Sequence, residues 1–86
     1  VALFALDGTE VAAASCSVET SSPEDGWMER HPDQDWADTA ETIRKVIDGA
    51  GVPSDSIAGV GCTGFGNGLY PLDSAGRPVR QAITSG

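Results

Sequence analysis

The stretch from Ile57 to Asp73, I-A-G-V-G-C-T-G-F-G-N-G-L-Y-P-L-D, decides how the chain is read. Apolar Ile57, Val60 and Cys62 run into Gly64, Gly66 and Gly68, and Leu69, Tyr70 and Leu72 follow. The pattern predicts a strand, a glycine-lined bend and a second strand. Alternating glycines let a backbone approach a ligand closely or take φ values that other residues avoid. Asn67 places an amide, both donor and acceptor, inside that bend. Two readings are open: the bend presents Asn67 to a small polar ligand, or the glycines serve only the geometry of a hairpin.

Downstream, Asp73-Ser74-Ala75-Gly76 is a turn signal and Val79 to Ile83 a short strand. Upstream, Trp36, Ala40, Ile43, Val46, Ile47 and Ala50 recur at helical spacing, which predicts one amphipathic helix packed on a sheet. Asp33 is its expected N-cap, Asp35 and Asp38 suit the positive end of the dipole, and Arg44 and Lys45 the negative end. Gly49, Gly51 and Pro53 supply the stop. Before the helix, residues 19–33 show no period and read as a long loop. Trp27 and Met28 would pin that loop; Trp27 either packs onto the core or walls a ligand pocket. Glu29, Arg30 and His31 either reach the same cleft or form a wet loop tip. Residues 1–18 read as an antiparallel hairpin turning at Asp7-Gly8, where both residues tolerate positive φ. A helix separates the Ile57–Thr63 strand from that hairpin, so parallel pairing through a crossover is expected.

The chain has 86 residues, enough for one small domain. With 40% hydrophobic and 21% charged residues it has the composition of a globular protein. A net charge of −8 with only 5 Lys and Arg argues against a nucleic-acid partner. There is no apolar run of membrane-spanning length and no basic-then-apolar leader, so no membrane partner is expected and a cytoplasmic location is predicted. Cys16 and Cys62 read as small buried residues in strands within a reducing compartment. His31 is the single histidine, which leaves a metal site almost without ligands and a nucleophile without a base. The spaced glycines do not open a helix and no G-x-x-x-x-G-K-[ST] run exists, so neither a dinucleotide fingerprint nor a phosphate cradle is present. No residue is assigned a catalytic, cofactor-binding or metal-binding role. The residues support a binding surface better than a catalytic centre.

Four stretches, in this order, together resemble one family: V-A-L-F-A-L-D-G at 1–8, G-W-M-E-R-H-P at 26–32 followed by Trp36, the Ile57–Asp73 stretch, and G-R-P-V-R-Q-A-I at 76–83. They are similar to the N-terminal domain of the FGGY carbohydrate kinases, and the G-F-G-N-G-L-Y form leans toward pentulose and polyol members such as L-xylulose or erythritol kinases. The resemblance implies an α/β, ribonuclease-H-like mixed sheet with a crossover helix, related to actin and hexokinase, of which residues 1–86 would be a partial domain lacking its first strand. It also implies ATP and Mg2+ as cofactors of the full-length enzyme, with none bound by these residues alone. Its expected partners are a small-molecule sugar or polyol and the rest of the kinase chain with its C-terminal ATPase domain, and a homodimer is compatible with it. Substrate contacts are implied at Gly66 and Asn67, with Phe65 beside them and Trp27 near the same cleft. Asn67 stands where other members carry a charged or imidazole side chain, and Gly66 leaves room beside it. The family's aspartate-glycine-threonine loop should precede Val1 and its catalytic aspartate should lie beyond Gly86, so these residues alone should not catalyse phosphoryl transfer. The alternative is a non-catalytic carbohydrate-binding or interaction module, or an inactive remnant.

Overall fold

The computed structural model describes residues 1–18, 20–64 and 66–84. In chain order the elements are β1 (Ala2–Phe4), β2 (Glu10–Ala13), β3 (Thr20–Ser21), β4 (Glu29–Arg30), α1 (Pro32–Ala50), a 3-10 turn at Ser54–Ser56, and β5 (Ala82–Ile83). They fall into two compact units, one of residues 1–17 and 38–62, the other of residues 18–37 and 63–86.

In the first unit β1 and β2 pair antiparallel, as the sequence predicts, with Ala2 opposite Ala13 and an irregularity between Leu3 and Phe4. The turn differs from the expected form. Gly8 donates to the carbonyl of Ala5 at 2.9 Å and Ala5 to that of Thr9 at 2.8 Å. Only Gly8, at φ +91°, takes the left-handed region, so Asp7 occupies an ordinary turn position. A turn followed by one left-handed glycine needs positive φ once, where a two-residue hairpin turn needs it twice. The Thr42 hydroxyl donates to the Asp38 carbonyl at 2.6 Å and lies 3.4 Å from the Cys16 sulfur. Thr42 and Val46 are the buried residues of α1. Both cysteines are free and exposed and neither lies in a strand, which corrects the expectation that they are buried there.

Helix α1 begins one residue before the expected cap. Pro32 fills the first helical position, where its missing N–H leaves nothing unpaired, and the His31 carbonyl accepts from the Asp35 N–H at 2.9 Å. Asp33 is therefore inside the first turn with Asp35, where the dipole still favours it. No basic residue lies in the last turn; Arg44 sits earlier and pairs with Glu41 at 3.4 Å on the exposed surface. Gly51, at φ +67°, ends the helix by donating to the carbonyls of Ile47 and Asp48. Of the apolar stripe, Val46 is buried while Trp36 is 70% exposed, so the stripe does not seat along its whole length.

The strand expected at Ile57–Thr63 is not formed. Ile57 is extended, at φ −73° and ψ 115°, but the segment makes no ladder with any described residue. A strand needs a neighbour to supply N–H and C=O partners. Here an open cleft of about 330 Å³, lined by Leu3, Phe4, Leu6, Val52 and Ile57 among others, lies between this segment and β1. No parallel pair is present among the described residues: instead of one mixed sheet, they make two antiparallel sheets, β1-β2 and β3-β4-β5.

In the second unit, the stretch read as a loop contains β3 and β4, which pair with Thr20 opposite Arg30 and Ser21 opposite Glu29. Strands of two residues carry no alternation that a sequence reading can detect. β5 pairs on the other side of β4, with Ile83 opposite Glu29 and Arg30 opposite Ala82. Ala82 is fully buried and is the centre of this unit.

Candidate functional site

The site is built on β5. Leu69 and Ile83 exchange both backbone hydrogen bonds, 2.8 Å and 3.0 Å, and Leu72 bridges Pro78, so residues 69–83 form the hairpin that the Asp73 turn signal implies. The two arms are joined by these isolated bridges, with Val79 donating to the Pro71 carbonyl at 3.2 Å between them, while the regular ladder of β5 at Ala82–Ile83 is made with β4. The Asp73 carboxylate closes the turn by accepting from the Ala75 and Arg77 N–H groups, each at 2.9 Å. Gly76, at φ +79°, completes it.

The glycine bend precedes Leu69 directly. Asn67 is the one described non-glycine residue with positive φ, at 66°. Asn enters this region more readily than most residues because its short amide bonds locally. A Cβ built at Gly64 or Gly66 meets nothing within 4 Å, so the bend is open to its surroundings. Gly66 and Asn67 are adjacent and both exposed. Phe65 lies outside the described residues.

Trp27 is 50% exposed, so its indole is only partly packed, and its backbone N–H donates to the Glu24 carbonyl at 3.0 Å. Met28 is the better anchor: it is half-buried and its carbonyl accepts from the Thr84 N–H at 2.9 Å. The expected wet tip is not wet. Glu29 accepts from Arg80 Nη2 at 2.7 Å with only 13% of its side chain exposed, and Arg30 pairs with Asp35 at 2.9 Å. Sequence reasoning missed the first pair because Arg80 is remote in the chain; the signal that would have found it is an arginine leading into the strand that pairs with Glu29. A second opening, about 490 Å³, is lined by His31, Pro32, Asp33, Gln34, Pro78, Arg80 and Gln81. Gly66, Asn67 and Trp27 are not among its lining residues. Among the described residues, no group of three or more His, Cys, Asp or Glu is placed to hold a metal ion, and no helix is long and apolar enough to cross a membrane.

The family described as the FGGY family of carbohydrate kinases, N-terminal domain, matches residues 1–86. The chain belongs to this family. Among similar proteins, the L-xylulose/3-keto-L-gulonate kinase of Escherichia coli K12 is 31% identical over 96% of this chain and 17% of its own length. A glycerol kinase of Ectopseudomonas mendocina is 30% identical over 94% of this chain and 17% of its own, and one of Roseobacter denitrificans is 39% identical over 71% and 12%. This FGGY domain chain thus spans about a sixth of the length of the curated relatives it matches, at 17% of the first.

Proposed function

We propose that residues 1–86 supply the substrate-side part of the cleft of an ATP-dependent kinase. In its complete form this enzyme transfers a phosphoryl group from ATP to a hydroxyl of a pentulose-type sugar or a polyol. The observation that carries the reading is the family match along the whole chain, with the bend at Gly66 and Asn67 in the stretch that bears it. In this reading the Asn67 amide donates to one sugar hydroxyl oxygen and accepts from another hydroxyl, and the open space at Gly66 admits the sugar backbone. A neutral amide suits a neutral polyol, since neither partner brings an uncompensated charge into the contact.

In this reading ATP and Mg2+ are held by the rest of the kinase, to which the relatives' greater length belongs. What this chain contributes is binding and orientation, which in phosphoryl transfer hold the attacked hydroxyl in line with the γ-phosphorus.

Steady-state kinetics of the full-length protein with L-xylulose and glycerol test the reading. Asn67→Ala should raise KM for the accepted substrate, or lower kcat/KM, by roughly ten- to several-hundred-fold, the scale of a lost buried hydrogen bond. A folded variant with unchanged sugar kinetics removes Asn67 from the site.

A further inference from the structure

We propose that Glu29 and Arg80 form a positioning pair that sets where the Asn67 amide stands; the inference rests on the reading of Asn67 as the sugar contact. Three linked contacts carry it. Arg80 Nη2 donates to Glu29 Oε1 at 2.7 Å, and Glu29, with 13% of its side chain exposed, has little water to replace that donor. The backbone of Glu29 lies opposite Ile83 in the β4-β5 ladder. Ile83 in turn exchanges both backbone hydrogen bonds with Leu69, two residues after Asn67.

The pair sits where it is needed. The hairpin that carries the bend has its bridges at Leu72–Pro78 and Leu69–Ile83, and the intervening residues through Arg80 lie outside any regular strand. A charge-assisted hydrogen bond from Arg80 to β4 fixes this irregular stretch from the side. Arg80 Nε also donates to the Gln81 carbonyl at 3.0 Å, which holds the guanidinium against its own strand. Removing either partner leaves β5 free to shift along β4, and Leu69 moves with it. The bend then carries Asn67 off the hydroxyl it addresses, and small misplacements of a binding group are costly.

A contact made equally in ground and transition states changes KM and spares kcat, whereas loss of folded enzyme lowers apparent kcat at unchanged KM. Glu29→Gln and Arg80→Gln in the full-length kinase, assayed with L-xylulose and glycerol, should each raise KM roughly five- to thirtyfold with kcat within about twofold. The charge-swapped double variant E29R/R80E should recover part of that loss. In an Asn67→Gly background, Glu29→Gln should leave KM where Asn67→Gly alone puts it, because both act on one contact. If Asn67→Gly raises KM and neither Glu29→Gln nor Arg80→Gln does, the positioning role is overturned and the sugar contact stands. If Glu29→Gln raises KM equally with or without the Asn67 amide, the pair acts elsewhere and the inference fails. If Asn67→Gly alone is silent, the sugar-contact reading fails first. Should the swapped protein not fold, Arg80→Gln, at a side chain 44% exposed, keeps the test intact.

Discussion

Two glycine-containing bends a few residues apart are built in opposite ways. In the Asp73–Arg77 turn every local demand is met from within: the carboxylate takes two backbone N–H groups, Asp73 N–H donates to Arg77 at 2.8 Å, and the left-handed position is a glycine. In the bend before Leu69 the left-handed position is occupied by Asn67 instead of a glycine. The first bend is a turn closed by its own groups. The second places an amide side chain at its left-handed position, a conformation Asn adopts more readily than most residues, and the proposed reading gives that amide a sugar hydroxyl as partner.

Substitutions at the two bends should therefore move different observables. The largest effect is expected for Asn67→Gly, which removes the amide without straining the backbone: KM for the sugar or polyol should rise roughly ten- to several-hundred-fold with an unchanged unfolding midpoint. Next comes Gly66→Ala, at a position whose φ is not left-handed and whose Cβ meets nothing. It should leave denaturant unfolding unchanged yet raise KM about tenfold, because in the proposed reading the methyl enters the space that the sugar takes. Gly76→Ala is its mirror: with φ at +79° it should cost about 1 kcal/mol of stability, read as a shifted urea midpoint, while sugar KM stays constant. Asp73→Ala should cost about 1 kcal/mol in the same assay and be equally silent in KM. An altered KM at Gly76 or Asp73, or a silent Gly66→Ala, would erase the distinction between the bends.

The smallest effect concerns the hairpin turn, built on the same plan as the Asp73 turn. The Thr9 N–H donates to Asp7 Oδ1 at 2.9 Å, and this bond, helped by the Thr9 hydroxyl, holds the Asp7 carboxyl below the ordinary aspartate value. A lowered folded pKa means that the contribution is present above the unfolded pKa and disappears as pH falls through the folded one. Carboxyl NMR titration should place Asp7 below 3.8, and Thr9→Pro, which removes the N–H, should move it back up.

What the sequence discloses about this fold is what short-range chemistry dictates. Asp7-Gly8 marks a hairpin because a glycine is needed there whichever turn forms, although the turn type was not legible. The period of α1 is visible because a helix writes its pattern over 19 residues. β3 and β4 are invisible because two-residue strands exist only through their pairing partners. The Ile57–Thr63 segment carries a strand's composition and lacks a ladder, since pairing is decided by neighbours and not by propensity. Asn67 stands out in the sequence through its glycine neighbours, but its positive φ does not, because Asn occupies both halves of φ space. The partner of Glu29 depends on the tertiary path of the chain, which no local pattern encodes.

The Glu29–Arg80 contact also orders events during synthesis. The hairpin at the start of the chain closes between residues 13 apart, so it can form as soon as it leaves the ribosome. Glu29 and Arg80 are 51 residues apart, and at about 5–20 residues per second β4 waits several seconds for its partner strand. Through that interval the half-made sheet offers bare backbone and a carboxylate without its arginine, so slow codons between residues 30 and 80 would lengthen the time in which nascent chains are open to misassembly.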